Sequence, residues 1–196
     1  MTRPTIITVT PPSIEPVSLD EARAQLSLYD DATHDLLLSR LISAARASAE
    51  VATGMRCMSQ TARLELDGFP DDGTAIDLGC YPVASVTSVK FDDTNGVEQT
   101  LVSGTDYWPS LGGMFPLLAP IDGWPDTCDG KPASVRIVMV VGNTAAANVP
   151  QDVRHAILLR MTEMFERRGE AVEAVSVAET PLSMRALLAP HTRWMA

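Results

Sequence analysis

The chain has 196 residues, 45% of them hydrophobic, 20% charged and 5% aromatic, a composition that excludes wholesale disorder and fibrous classes. At this length one domain with an insertion, or two small domains, buries about 70% of the unfolded chain's surface. The net charge of −10 sits in residues 65–134, where twelve acids face only Lys90 and Lys131, so the clustered cations of a nucleic-acid footprint are absent and sequence-reading of DNA is not expected.

No apolar run reaches the ~20 residues of a membrane-spanning helix, and residues 1–16 lack a charged-then-apolar signal pattern; a soluble intracellular product is expected. Cys57, Cys80 and Cys128 are odd in number and form no CxxC pair, which predicts free thiols rather than a disulfide framework or a zinc site.

Residues 1–17, with Pro4, Pro11, Pro12 and Pro16 around Ile6, Ile7 and Val9, read as an extended arm free to cross onto a neighbour. Ser18 and Glu21 have capping-box spacing and predict a short helix over 18–28. Leu37, Leu38, Leu41, Ile42, Ala45, Ala49 and Ala52 recur at steps of three and four, with Gly54 beyond them, predicting a long amphipathic helix over 31–53 that ends at that glycine. After Gly54 the period drops to two: strands are expected near 61–66 and 83–91, then an Asn95-Gly96 hairpin turn of type I′ and a returning strand over 97–102. Five prolines break up residues 103–134, which read as loops and short edge strands. Residues 135–141, Val-Arg-Ile-Val-Met-Val-Val, have the pattern of a central, well-buried strand. Pro150 opens a second long helix over 150–168, with Val153, Ile157, Met161, Met164 and Phe165 as its apolar stripe. Residues 170–179 read as a spacer. Thr180–Ala196 holds six large apolar side chains and no acid.

Motifs for reaction chemistry are incomplete wherever they begin. Gly123 to Gly130-Lys131 has the wrong spacing for a phosphate loop and Pro132 where Ser or Thr belongs. The acids before Gly96 lack a calcium loop's first ligand and its final Glu. His34, His155 and His191 stand far apart, with no HExxH or GxSxG around them. The acid pairs Asp71-Asp72 and Asp92-Asp93 lie in turn-like stretches where solvated carboxylates belong. Neither catalysis nor a cofactor or metal is expected.

From composition and period alone the chain is an α+β protein with two long helices flanking a β insertion. The order of its pieces says more. Pro16-Val17-Ser18-Leu19-Asp20-Glu21-Ala22-Arg23 leads into a long helix ending in Thr53-Gly54; Gln60 to Pro70 and Tyr81 to Val89 follow; then come Thr105-Asp106-Tyr107, Val149-Pro150-Gln151-Asp152-Val153-Arg154-His155-Ala156-Ile157-Leu158-Leu159, and Met184-Arg185-Ala186-Leu187-Leu188-Ala189-Pro190. Taken together, these stretches resemble the head-tail connector (adaptor) proteins of long-tailed bacteriophages and phage-derived gene transfer particles, over about residues 16–194.

The resemblance implies a structural protein of the virion neck, made in the host cytoplasm: a ring, usually of twelve copies, seated beneath the portal protein and continuing its DNA channel towards the stopper or tail-completion protein. It implies no sequence-specific DNA contact, no membrane, no enzyme activity and no cofactor. Other readings are a stopper or tail-completion protein, and a virion-associated enzyme or ligand-binding domain whose site assembles only in three dimensions. The division expected is an arm over 1–17, a helical core over 18–56 and 142–169, an inserted β module over 57–141, and a spacer and docking tail over 170–196. The tail docks either on the chain's own core or on the portal or a neighbour. In the second case Leu187, Leu188 and Trp194 are its apolar anchors, Leu182 and Met184 also contact the partner, and Arg185 and Arg193 pair with acids of the partner.

Overall fold

The computed structural model describes residues 4–28, 32–167 and 182–194. The chain divides into two compact units. One comprises Met1–Ser13 and Ser59–Asn143 and is β; the other comprises Ile14–Met58 and Thr144–Ala196 and is helical.

In the helical unit, Ser18 caps α1 (Leu19–Gln25). Its hydroxyl accepts the Glu21 amide at 3.1 Å and the Glu21 carboxylate accepts the Ser18 amide at 2.8 Å, which is the expected capping box. Helix α2 (Asp35–Thr53) ends at Gly54, whose φ of +73° is the left-handed cap that a residue with a Cβ adopts only at a cost. The helix begins later than the apolar spacing suggests: the Ala32 carbonyl accepts the Asp35 amide at 3.2 Å in a turn, and the Asp35 carboxylate is held by Arg23 of α1, one contact being 2.9 Å. Asp31, expected near the helix start, lies outside the described residues, as does the spacer expected over 170–179.

Helix α3 (Gln151–Glu166) has Pro150 as its N-cap residue, where the missing amide removes no helical bond. Leu38, Ile42, Ala45 and Ala49 of α2 and Val153, Ala156, Ile157 and Met161 of α3 are buried, and the two helices pack together. The apolar stripes need correction at five positions: Leu37 and Leu41 of α2 are only half-buried and Ala52 is exposed, and Met164 and Phe165 of α3 are half-buried, Phe165 meeting the edge of His34 with ring centres 5.5 Å apart. A short helix, α4 (Leu182–Leu188), runs on into a 3-10 turn over Ala189–His191 and packs on α3.

The β unit has a five-stranded antiparallel sheet, order β1-β2-β8-β4-β5, built from β1 (Thr5–Thr10), β2 (Gln60–Leu66), β4 (Val83–Asp92), β5 (Glu98–Leu101) and β8 (Val135–Val141). A smaller antiparallel sheet, order β3-β7-β6, holds β3 (Ile76–Asp77), β6 (Tyr107–Ser110) and β7 (Leu117–Pro120). Ala62, Leu64, Ile137, Met139 and Val89 of the large sheet share one core with Ile76, Leu118 and Tyr107 of the small one. Central strand β8 alternates: Val135, Ile137, Met139 and Val141 are buried and the residues between them half-buried, so the near-continuous apolar run marks its central position but only one face is fully covered.

The stretch read as an arm for a neighbour is the edge strand of the chain's own sheet, Ile6 opposite Leu64 and Ile7 opposite Arg63. Its β-branched residues fit a pleated surface, and pairing with β2 satisfies one side of its backbone. The hairpin turn also differs from type I′. Gly96 has φ +76°, whereas Asn95 is not among the residues of positive φ. The Asp93 carbonyl accepts the Gly96 amide at 2.7 Å, and the Asp93 carboxylate accepts the amides of Asn95 and Val97 at 2.9 and 3.0 Å. This is a longer loop with one left-handed glycine, directed by an aspartate that serves two amides.

Ile157→Ala should lower stability by about 2–5 kcal/mol, as large-to-small changes at fully buried sites do, and Leu41→Ala by clearly less; thermal melts of the two variants side by side check the order. Gly96→Val should destabilise by about 1–2 kcal/mol through the left-handed backbone alone, since no atom lies within 4 Å of a Cβ placed there. Chemical denaturation followed by β-sheet circular dichroism measures it.

Candidate interaction site

The seven residues expected to contact a partner do not form one surface. Met184 and Leu188 are each 2% exposed and belong to the chain's own core beneath α4, which corrects their assignment as partner contacts. A seven-residue helix at helical spacing buries one side, and here that side faces α3. Leu182 opens α4. The Arg193 amide donates to the Thr53 carbonyl at 2.9 Å, tying the segment to the end of α2. The Arg193 stem lies so close over Gly54 that a Cβ there would be 3.1 Å from its Cδ, a second reason for glycine at that position. Arg185 is exposed, Leu187 half-buried, and Trp194 74% exposed. Arg185, Leu187 and Trp194 therefore remain as outward candidates.

Beside α4 lies an open groove of about 540 Å³, lined by Ala47, Ser48, Val51 and Ala52 of α2, Arg160 of α3 and Met184 of α4. Arg160 is ion-paired within its own helix to Glu163 at 2.6 Å, and the other described lining residues are uncharged. The apolar period of α2 predicts only its buried stripe. The outer face carries a separate signal in Ser39, Ala44, Ala47 and Val51, residues that a solvated face ordinarily replaces with charges.

Charged groups are otherwise arranged to hold the fold. Arg46, 8% exposed, binds Glu15 at 2.7 Å and Glu50 at 3.3 Å. Burial opposes its charge, and the two carboxylates outweigh that opposition, holding the guanidinium above its ordinary range. Glu50, 5% exposed, also accepts the Cys57 amide at 2.9 Å. Burial first, then the Glu50 charge, pushes the Cys57 thiol up to about 12, so at neutral pH it carries no thiolate nucleophile. In the β unit, Arg136 forks onto Asp92 at 2.8 and 2.9 Å and reaches Glu98 at 2.9 Å, while Lys131 binds Asp92 at 2.7 Å and Lys90 binds Glu98 at 2.7 Å. The Arg136 guanidinium, followed by the Lys131 ammonium, holds the Asp92 carboxyl well below the usual carboxylate range.

Acidic side chains line a cleft of about 500 Å³ with Asp71, Asp126 and Asp129 around Phe69 and Trp124, whose rings stack at 4.8 Å. Among the described residues no group of three or more His, Cys, Asp or Glu is placed to hold a metal ion, and no helix is long and apolar enough to cross a membrane. His34 and His191 stand against Phe165 and, at 3.7 Å, Asp152, and His155 is exposed.

No protein-family model matches the chain, and no curated protein matches it. Solved structures do. The chain is similar to one in the virion of a native gene transfer agent particle, with a TM-score of 0.76, 21% identity, and coverage of 97% of this chain and 96% of that one. It is also similar to chains in the neck of a native particle with C12 symmetry, at 0.70, 21% and 98% against 97%, and in the neck of an empty particle with C6 symmetry, at 0.73, 22% and 98% against 97%. At such identities the likeness establishes the fold: an α+β chain of the architecture found, nearly end to end, in virion and neck structures.

Asp92 gives a pH test. Its folded-state pKa is depressed, so its contribution is fully present above the unfolded value of about 3.9 and is lost as pH falls below it. Asp92→Asn should be less stable than the parent at pH 7, and the gap should narrow steadily from pH 5 to pH 2 in denaturant titrations; a gap independent of pH would contradict this.

Proposed function

We propose that the chain is a head-tail connector (adaptor), a structural protein of the virion neck that forms a ring between the portal and the stopper or tail and continues the DNA channel. The observation that carries this reading is the near-complete coverage, 97–98% of this chain at TM-scores of 0.70–0.76, by chains of neck and virion structures, two of them cyclically symmetric. The motif order along residues 16–194 supports it independently, because it rests on sequence rather than on shape. The charge distribution is also compatible. Twelve acids in residues 65–134 disfavour adhesion to phosphate backbones, and DNA passing a joint must not stick to it. The described surfaces fit a passive role: their ion pairs bind the chain to itself.

In this reading Trp194, Leu187 and Arg185 contact the portal or the neighbouring subunit, an exposed indole being the kind of side chain that anchors an interface. The purified chain should form rings in negative-stain class averages and co-sediment with portal assemblies. Trp194→Ala should weaken co-sedimentation at least tenfold, a loss of about 1.4 kcal/mol or more, while leaving the melting temperature nearly unchanged. A chain that forms no ring alone or with portal would remove the adaptor reading.

A further inference from the structure

Helices α2 and α3 pack together but show opposite outer faces. The exposed residues of α3 and its C-cap are Gln151, Asp152, His155, Glu166 and Arg167, every one polar or charged. Those of α2 are Leu36, Ser39, Arg40, Ala44, Ala47, Val51 and Ala52, with Leu36 68% and Val51 86% exposed. The acids of α2 are used elsewhere: Asp35 holds Arg23, and Glu50 is buried against Arg46 and Arg56. One charge, Arg40, is left along a helix of 19 residues, about 28 Å long at 1.5 Å per residue. A solvated helix normally carries charge on its outer face, and depletion of charge is what marks the centre of a protein interface.

We infer that the outer face of α2, with the groove it forms beside Arg160 and Met184, is the surface through which one copy of this chain contacts the next. The inference rests on the ring reading above and assigns the ring its contact surface. Three observations favour a second copy as the occupant. The β unit carries most of the net negative charge, so contact between copies through it would set like charges together, whereas the α2 face holds no exposed acid. Arg40 makes no ion pair among the described residues, and neither does Glu166 on α3. One chain therefore offers, on two different elements, the cation and the carboxylate that a head-to-tail contact brings together, and head-to-tail contact is the kind that closes a cyclic ring. Finally, an open groove of about 540 Å³ lies on this face, and interface anchors are desolvated where a side chain of one copy enters a recess of the next.

The test uses the full chain. Ala47→Glu and Val51→Glu each place a carboxylate on the face at a solvent-exposed position. Each should reduce the assembled fraction in sedimentation velocity at least tenfold while the monomer's melting temperature stays within a few degrees of the parent. Ala47→Ser, which keeps the face neutral, should assemble like the parent. Hydroxyl-radical footprinting of the unaltered protein supplies a readout that needs no variant: oxidation of Leu36 and Val51 should drop several-fold on assembly. A parent that stays monomeric at every concentration and with portal overturns the ring reading and this inference together. Parent rings matched by rings of both glutamate variants, or rings in which Leu36 and Val51 remain as reactive as in the monomer, overturn the surface assignment alone. Glutamate variants that form normal rings and lose only portal binding also overturn it, since the face would then belong to another partner.

Discussion

The antiparallel ladder between β2 and β8 is the contact on which the rest of the chain's organisation depends. Gln60 lies opposite Val141, the pairing runs unbroken to Leu66 opposite Val135, and the Ser59 amide donates to the Asn143 carbonyl at 2.8 Å. The first strand after α2 and the last before α3 are thus neighbours, and the two ends of residues 59–143 are held side by side by main-chain hydrogen bonds. Closing so long an excursion costs little more than closing a short one, because loop entropy grows only with the logarithm of length. The helical unit can therefore be made from chain on both sides of the insertion, with α2 before it and α3 and α4 after it.

The two units handle charge differently. In the helical unit Arg46 and Glu50 are nearly buried and joined to Glu15 and Arg56, a network whose members each need the others, since an unpaired buried charge is strongly destabilising. In the β unit the pairs lie nearer the surface and fasten the sheet's charged end. Arg136 and Lys131 converge on Asp92, whose amide donates to the Ser134 carbonyl and whose carbonyl accepts the Cys128 amide. These contacts tie the acidic residues about 126–134 to the strand beside them, which holds an acid-rich module in shape despite its self-repulsion. What remains outward on α2 is, apart from Arg40, uncharged, in contrast to both sets of pairs.

Local rules made much of this readable in the sequence. Ser18 and Glu21 had to cap a helix, Gly54 had to end one, and the alternation in Thr61–Leu66 had to make a strand with one wet and one dry face, because each pattern depends on hydrogen bonds or burial within a few residues. The α+β character, the two longer helices and the central position of Val135–Val141 followed from the same signals. Pairing decided the rest. Nothing local distinguishes an arm for a neighbour from an edge strand, and Thr5–Thr10 became the latter because β2 offered a free backbone edge some fifty residues further on. Six large apolar side chains near the chain's end announced that they must be covered, but only the tertiary structure showed Met184 and Leu188 covered by α3 and Trp194 left out. The sequence by itself determined which segments bury a face, because hydrophobic period is a property of neighbours along the chain; which surface covers each face was decided by tertiary structure alone, because that surface is contributed by residues distant in sequence.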